Sequence, residues 1–205
     1  MIKGNKWISH LLAVIFMLLV NVIYFYPQIE GKVLNQGDLV SSDQAWAAMS
    51  EYQKKTGKSY LWNPAQFSGM PALTDAPNTM NLVSKVYGFY NMMLNDPIGM
   101  YFMGMLLTYF MLVLLGLSPL ASALMSVPAM FVAGNVILWE AGHAAKIRTL
   151  IFTPLLIAGV LKIFEERKYL LGFILLTLGF SLSFYARHPQ MTYYVLLSFL
   201  VYGIV

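Results

Sequence analysis

Three groups of side chains in this sequence are of types that do chemistry. Asp38, within Gln36-Gly37-Asp38, and Asp43 a little further on are carboxylates able to accept a proton. The run Gly142-His143-Ala144-Ala145-Lys146-Ile147-Arg148 brings three potential cations together, and Arg187-His188-Pro189-Gln190 adds two more. Cations grouped in this way suit an oxyanion such as phosphate, because charge-assisted hydrogen bonds are the strong ones. The third group, Trp62-Asn63-Pro64-Ala65-Gln66-Phe67-Ser68-Gly69-Met70-Pro71, mixes aromatic rings with turn formers. Such a segment receives a sugar ring or simply builds a well-packed turn.

Local physics separates the members of each group. Ser41 followed three residues later by Gln44 reads as a capping box, which starts a helix ending at Gly57. Asp43 then falls in the first turn, where the helix dipole favours a negative side chain. Asp38 precedes that helix, and its bland reading is a solvated turn. His143 and Lys146, three apart, share a helix face. If the turn at Gly142 opens the following helix, free backbone N–H groups add to an anion site. Interfacial anchoring accounts equally for Lys146 and Arg148. Two histidines and a carboxylate can hold a metal, but no His-Glu-x-x-His pair is present, so no metal is assigned. There is no Gly-rich phosphate loop, Gly-x-Ser-x-Gly elbow or dinucleotide fingerprint, and no cofactor is implied.

The elements that must position these groups follow from composition. Hydrophobic residues make up 59% of 205 and charged residues 11%, with a mean hydropathy of +0.64, against roughly 25% charged in soluble domains. This predicts an all-α membrane protein, a polytopic helical bundle solvated by the lipid bilayer. A net charge of +4, scattered along the chain, provides no basic stripe for nucleic acid. Cysteine is absent, which excludes disulfides and thiolate metal sites.

Residues 1–26 hold the first span, over 7–26. It is preceded by Lys3 and Lys6 and closed by Tyr24, Phe25 and Tyr26, as a retained helix is and a cleaved signal peptide is not. Residues 27–97 form one long hydrophilic segment. Within it, the helix from Ser41 carries Trp46, Met49 and Tyr52 at helical spacing. A second helix from about Thr79 carries Leu82, Val83, Val86, Tyr90 and Met93 on one side. Both read as amphipathic interfacial helices, serving as a lid or as a substrate surface. Residues 98–205 hold about five further spans, near 98–117, 120–139, 149–164, 170–185 and 191–205, with Pro128 and Pro154 inside two of them. A cytoplasmic N-terminus makes the first loop extracytoplasmic and places 140–148 and 187–190 on that same side. Lys146, Arg148 and Arg187 there run against the positive-inside bias, which suits a role toward something anionic. The chain ends within apolar residues, Tyr202-Gly203-Ile204-Val205, and reads as the N-terminal fragment of a longer protein.

Four motifs in this order carry a resemblance over nearly the whole chain. They are Gln36-Gly37-Asp38 after the first span, Trp62-Asn63 leading to Phe67-Ser68-Gly69-Met70-Pro71, Gly142-His143 with Lys146, and His188-Pro189-Gln190 before Thr192-Tyr193-Tyr194. Together they resemble the N-terminal part of the bacterial YfhO-like membrane proteins, which are similar to C-type membrane glycosyltransferases. The resemblance implies transfer of a sugar from a polyprenyl-phosphate carrier, the lipid-linked donor, to an envelope polymer or glycolipid acceptor. This would occur on the outer face of the bacterial inner membrane. It gives the catalytic carboxylate to Asp38, with Asp43 second, and the carrier phosphate to His143, Lys146, Arg148, Arg187 and His188. Trp62, Asn63, Phe67 and Gln190 fall on the substrate. That family continues through further spans and usually a soluble domain, which this chain lacks. A different class stays open: a transporter, flippase or scaffold whose outer cations bind anionic envelope lipids or polymers.

The topology is directly testable because the chain has no cysteine of its own. Cysteines introduced at Ser59 and Ser84 are expected to react with a membrane-impermeant thiol reagent in intact cells. Labelling of both only after lysis would reverse the orientation.

Overall fold

The computed structural model describes residues 6–58, 61–65, 68–71, 82–93, 96–186 and 188–204, and these are almost entirely helical. Helix α1 (Lys6–Tyr24) carries no Asp, Glu, Lys or Arg after Lys6. At 1.5 Å per residue its 19 residues reach about 28 Å, close to the roughly 30 Å of a hydrocarbon core. Only 17% of its apolar window is buried, so Trp7, Leu11, Leu19 and Ile23 are exposed and call for lipid rather than water. Its buried residues Ala13, Met17 and Asn21, spaced four apart on one side, pack on α5 (Ile98–Leu114) and α6 (Pro119–Met130).

The block over 120–139 is two helices, α6 and α7 (Ala133–Glu140), bent by 45°. Pro128, inside α6, weakens the hydrogen-bond ladder just before the break. The Asn135 side-chain amide then donates to the Met130 carbonyl at 3.1 Å, satisfying an acceptor the break leaves open. Helix α8 (Ala144–Leu150) runs on into α9 (Thr153–Phe164), and together they form a long apolar helix, Ala144–Phe164. It starts ahead of the block expected from residue 149, which places Lys146 and Arg148 on the helix itself. By length and composition two helices can cross a membrane, α1 and Ala144–Phe164, or three with the bent pair counted as one. Helices α5 and α10 (Tyr169–Tyr185) are apolar but shorter, and α11 (Pro189–Ile204) follows.

Helices α9 and α10 pack more extensively than any other pair. A Cβ at Gly172 would lie 2.7 Å from the Gly159 carbonyl oxygen, and one at Gly159 3.0 Å from that of Gly172. The absent side chains are what let the two backbones touch. At one end of this pair Lys162, 3% exposed, donates to the Leu114 carbonyl at 2.6 Å and pairs with Glu166. It thereby caps the open C-terminus of α5.

At the other end lie α2 (Tyr26–Ile29), α3 (Gly37–Thr56) and the hairpin β1 (Trp62–Asn63) with β2 (Met70–Pro71), while α4 (Leu82–Met93) packs along α10 and α5. The capping box at Ser41 does not form. Helix α3 begins four residues earlier, at Gly37 with Gln36 as N-cap, and ends as expected at Gly57, φ +67°. Nor is α3 amphipathic. Leu39, Val40 and Tyr52 are exposed and Trp46 and Met49 half-buried, so its apolar residues are spread around it. Helix α4 fits that description better, with Val83 packed on the core and Leu82 and Lys85 exposed. Its expected start at Thr79 lies outside the described residues.

The glycine contact makes a prediction. Gly172→Ala is expected to lower the melting temperature in detergent through overpacking worth about 1–3 kcal/mol. Gly134→Ala in α7, where nothing lies within 4 Å, is expected to leave it unchanged or raise it. Equal effects would show that α9 and α10 do not meet through their glycines.

Candidate functional site

The first turn of α3 rests on the turn between α7 and α8. Gly142 there has φ +96°, and a Cβ on it would lie 3.2 Å from the Leu39 backbone nitrogen and 3.4 Å from the Asp38 Cβ. Glycine is thus required twice, by the left-handed backbone and by the close approach. The Gln36 side chain fastens the same junction by donating to the Trp139 carbonyl. As a result His143 Nε2 stands 3.1 Å from Asp38 Oδ2, within donating distance. Since α3 starts at Gly37, Asp38 is the acidic residue of the first turn and benefits from the helix dipole. Asp43, expected in that role, lies in the second turn and is exposed.

On the far side of His143 the start of α11 packs against α8. Burial first, and then the positive charge of Lys146, hold the His188 imidazole below its ordinary value, with a further contribution from His143. His143, Lys146 and His188 therefore stand within electrostatic reach of one another. Lys146 makes no ion pair among the described residues. The hydroxyl of Thr192, 1% exposed, is buried without a hydrogen-bond partner, and His188 Nδ1 has none beyond its own backbone. Buried polar groups are ordinarily satisfied, so these have capacity left for an oxyanion or water.

Other expected site residues are occupied elsewhere. Arg148 Nε donates to Asp96 Oδ2 at 2.9 Å, a second bond runs from its guanidinium to the same oxygen, and so its charge is matched within the protein. The Asn63 amide donates to the Ala45 carbonyl at 3.3 Å, and its oxygen accepts from the Ala65 N–H at 2.9 Å, fastening the hairpin to α3. Trp62 is exposed and packs on Gly69, where a Cβ would lie 2.6 Å from its ring. Gln190 donates to the Tyr194 hydroxyl at 2.6 Å, one turn along α11. Phe67 and Arg187 lie outside the described residues.

A cavity of about 580 Å³ beneath the linker after α2 is lined by Gln28, Lys32, Gln36, Asp96, Ile98 and Trp139, among others, and by neither Asp38 nor His143. Read alone, the sequence assigns Asp96 and Trp139 no site role, and Gln36 none beyond its place in the Gln36-Gly37-Asp38 motif. The one local signal was Asp96 directly before Pro97, at the start of α5. Among the described residues, no three histidine or carboxylate side chains come together as a metal site requires.

The chain matches no family model, and neither a curated protein nor a solved structure is significantly similar to it. What the geometry defines is an all-α bundle with a carboxylate–imidazole pair and unspent cationic and polar groups at one end.

The position of His188 gives a pH dependence. Its folded-state value is depressed from 6.5, so the stability it contributes is complete above about pH 6.5 and lost as the pH falls through the depressed value. The melting temperature is expected to fall between about pH 7.5 and pH 5. His188→Gln should make that fall smaller, and an unchanged fall would mean that His188 is not held neutral.

Proposed function

We propose that the chain acts as a YfhO-like bacterial membrane glycosyltransferase whose site is on the outer face. It would transfer a sugar from a polyprenyl-phosphate carrier to an envelope polymer or glycolipid. The observation that supports this best is the pairing of Asp38 with His143 at 3.1 Å, beside Lys146 and His188. The orientation has support too. His10 meets Tyr109 at 2.6 Å, and Lys162 reaches Leu114 further along the same helix and pairs with Glu166, which holds Lys168 at 2.7 Å. The start of α1 and the loop of Arg167 and Lys168 therefore share one end, which this reading takes as cytoplasmic although Lys146 and Arg148 at the other end run against the positive-inside bias. The Asp38 end is extracytoplasmic.

The chemistry is a single inverting displacement. Asp38 removes the proton of an acceptor hydroxyl while that oxygen bonds to the anomeric carbon. The bond from that carbon to the carrier phosphate oxygen breaks, and its electron pair leaves with the phosphate. His143 orients the carboxylate through its hydrogen bond. Lys146, with His143 and His188, stabilises the charge on the leaving phosphate, and the Thr192 hydroxyl supplies a further donor. Asp38 is 58% exposed, open to an acceptor arriving from solvent.

In the protein reconstituted with a polyprenyl-phosphate-linked sugar, Asp38→Asn is expected to abolish turnover while leaving expression and lipid binding intact. Lys146→Gln should lower transfer about 10- to 150-fold, the loss of one charge-assisted hydrogen bond of roughly 1.5–3 kcal/mol. Full activity in Asp38→Asn would instead favour a transporter, flippase or scaffold.

A further inference from the structure

A second space at the same end has the opposite electrostatic character. Where the end of α1 meets the end of α7, a cavity of about 380 Å³ is lined by Tyr24, Phe25, Tyr101 and Trp139, together with Lys32 and Glu140. Its volume lies within the roughly 300–1,000 Å³ of small-molecule sites. Phe25 and Tyr101 are buried and pack edge to face on one another, 4.9 Å apart at 65°, and against Phe131. They back the cavity, and the rings open to a guest are those of Tyr24, half exposed, and Trp139, each with the negative face of a quadrupole.

The charges are just as informative. Lys32 is neutralised by Glu30 at 2.8 Å. Glu140 is exposed and pairs with no cation among the described residues. The lining therefore carries one unbalanced carboxylate, which repels an anion. A neutral guest would leave that charge without a partner. Trp139, which lines the cavity, also carries a buried indole N–H without a hydrogen-bond partner, which a turn of the ring would bring to an oxygen near the guest's cationic centre.

We infer that this cavity binds a small organic ammonium group with an oxygen two carbons away, as in choline or ethanolamine, either as a free solute or as a lipid headgroup. The aromatic walls supply cation–π attraction, Glu140 the counter-charge and Trp139 the donor. None of this depends on sugar transfer, so the site stands or falls separately from the reaction.

The test uses the purified full chain in lipid nanodiscs, with choline and its uncharged carbon isostere 3,3-dimethylbutan-1-ol titrated by saturation-transfer NMR. Choline is expected to bind at least about tenfold more tightly. Glu140→Gln, an exposed substitution whose fold is checked by an unchanged melting temperature, should erase most of that preference. Discs of phosphatidylglycerol alone are compared with discs also containing phosphatidylethanolamine, and Glu140→Gln is run in both to subtract surface charge. Weaker choline binding with phosphatidylethanolamine identifies the lipid headgroup as the occupant, and equal binding identifies a free solute. Equal affinity for choline and its isostere, or a preference that survives in Glu140→Gln, overturns the assignment.

Discussion

A polar group set among apolar helices must find a partner from the protein itself, since hydrocarbon offers none. This constraint ties the bundle together. At one end Lys162 bridges the last turn of α5 to Glu166. At the other, Arg148 answers Asp96, Gln36 answers the Trp139 carbonyl, and Asn21, wholly buried in α1, donates to the Ile98 carbonyl at 2.6 Å. Apart from the local Lys162–Glu166 pair, each bond joins segments far apart in sequence, so the polar residues fix which helices meet while apolar contact supplies the bulk of the packing.

The same logic builds the site. The α3 helix is held chiefly by its first turns, through Gln36, the Gly142 approach and the Asn63 bond to Ala45, whereas residues 50–58 are exposed throughout. The geometry of Asp38 therefore depends on a turn about a hundred residues away that has no side chain of its own. A larger residue at position 142 would push the first turn of α3 away and open the Asp38–His143 contact, with no change in either of those two residues.

How much of this was legible in the sequence depends on range. The first span, the apolar blocks and the Gly57 stop rest on period and local backbone preference, and all appear as helices or helix ends. The start of α3 was misread because Ser41 and Gln44 carry a local capping signal that a distant bond overrides: Gln36 is committed to Trp139 and begins the helix earlier. That shift exchanges the roles expected of Asp38 and Asp43. The grouping of cations at 143–148 was visible, but Arg148's engagement was not, since Asp96 stands 52 residues away. Asn63 looked like a ligand to substrate and is a fastening of the hairpin, because an amide's two functions look alike in sequence.

With Arg148 matched to Asp96, the balance of charge at this end narrows to a single question. Asp38 is the one carboxylate in contact with the group formed by His143, Lys146 and His188 among the described residues. Burial first, and then the charge of Lys146, disfavour the protonated form of His188. On the proposed function, a bound phosphate would offset the charge of Lys146 and favour protonation of His188. Anion binding at this end and proton uptake by His188 would then be coupled in the same direction, each strengthening the other.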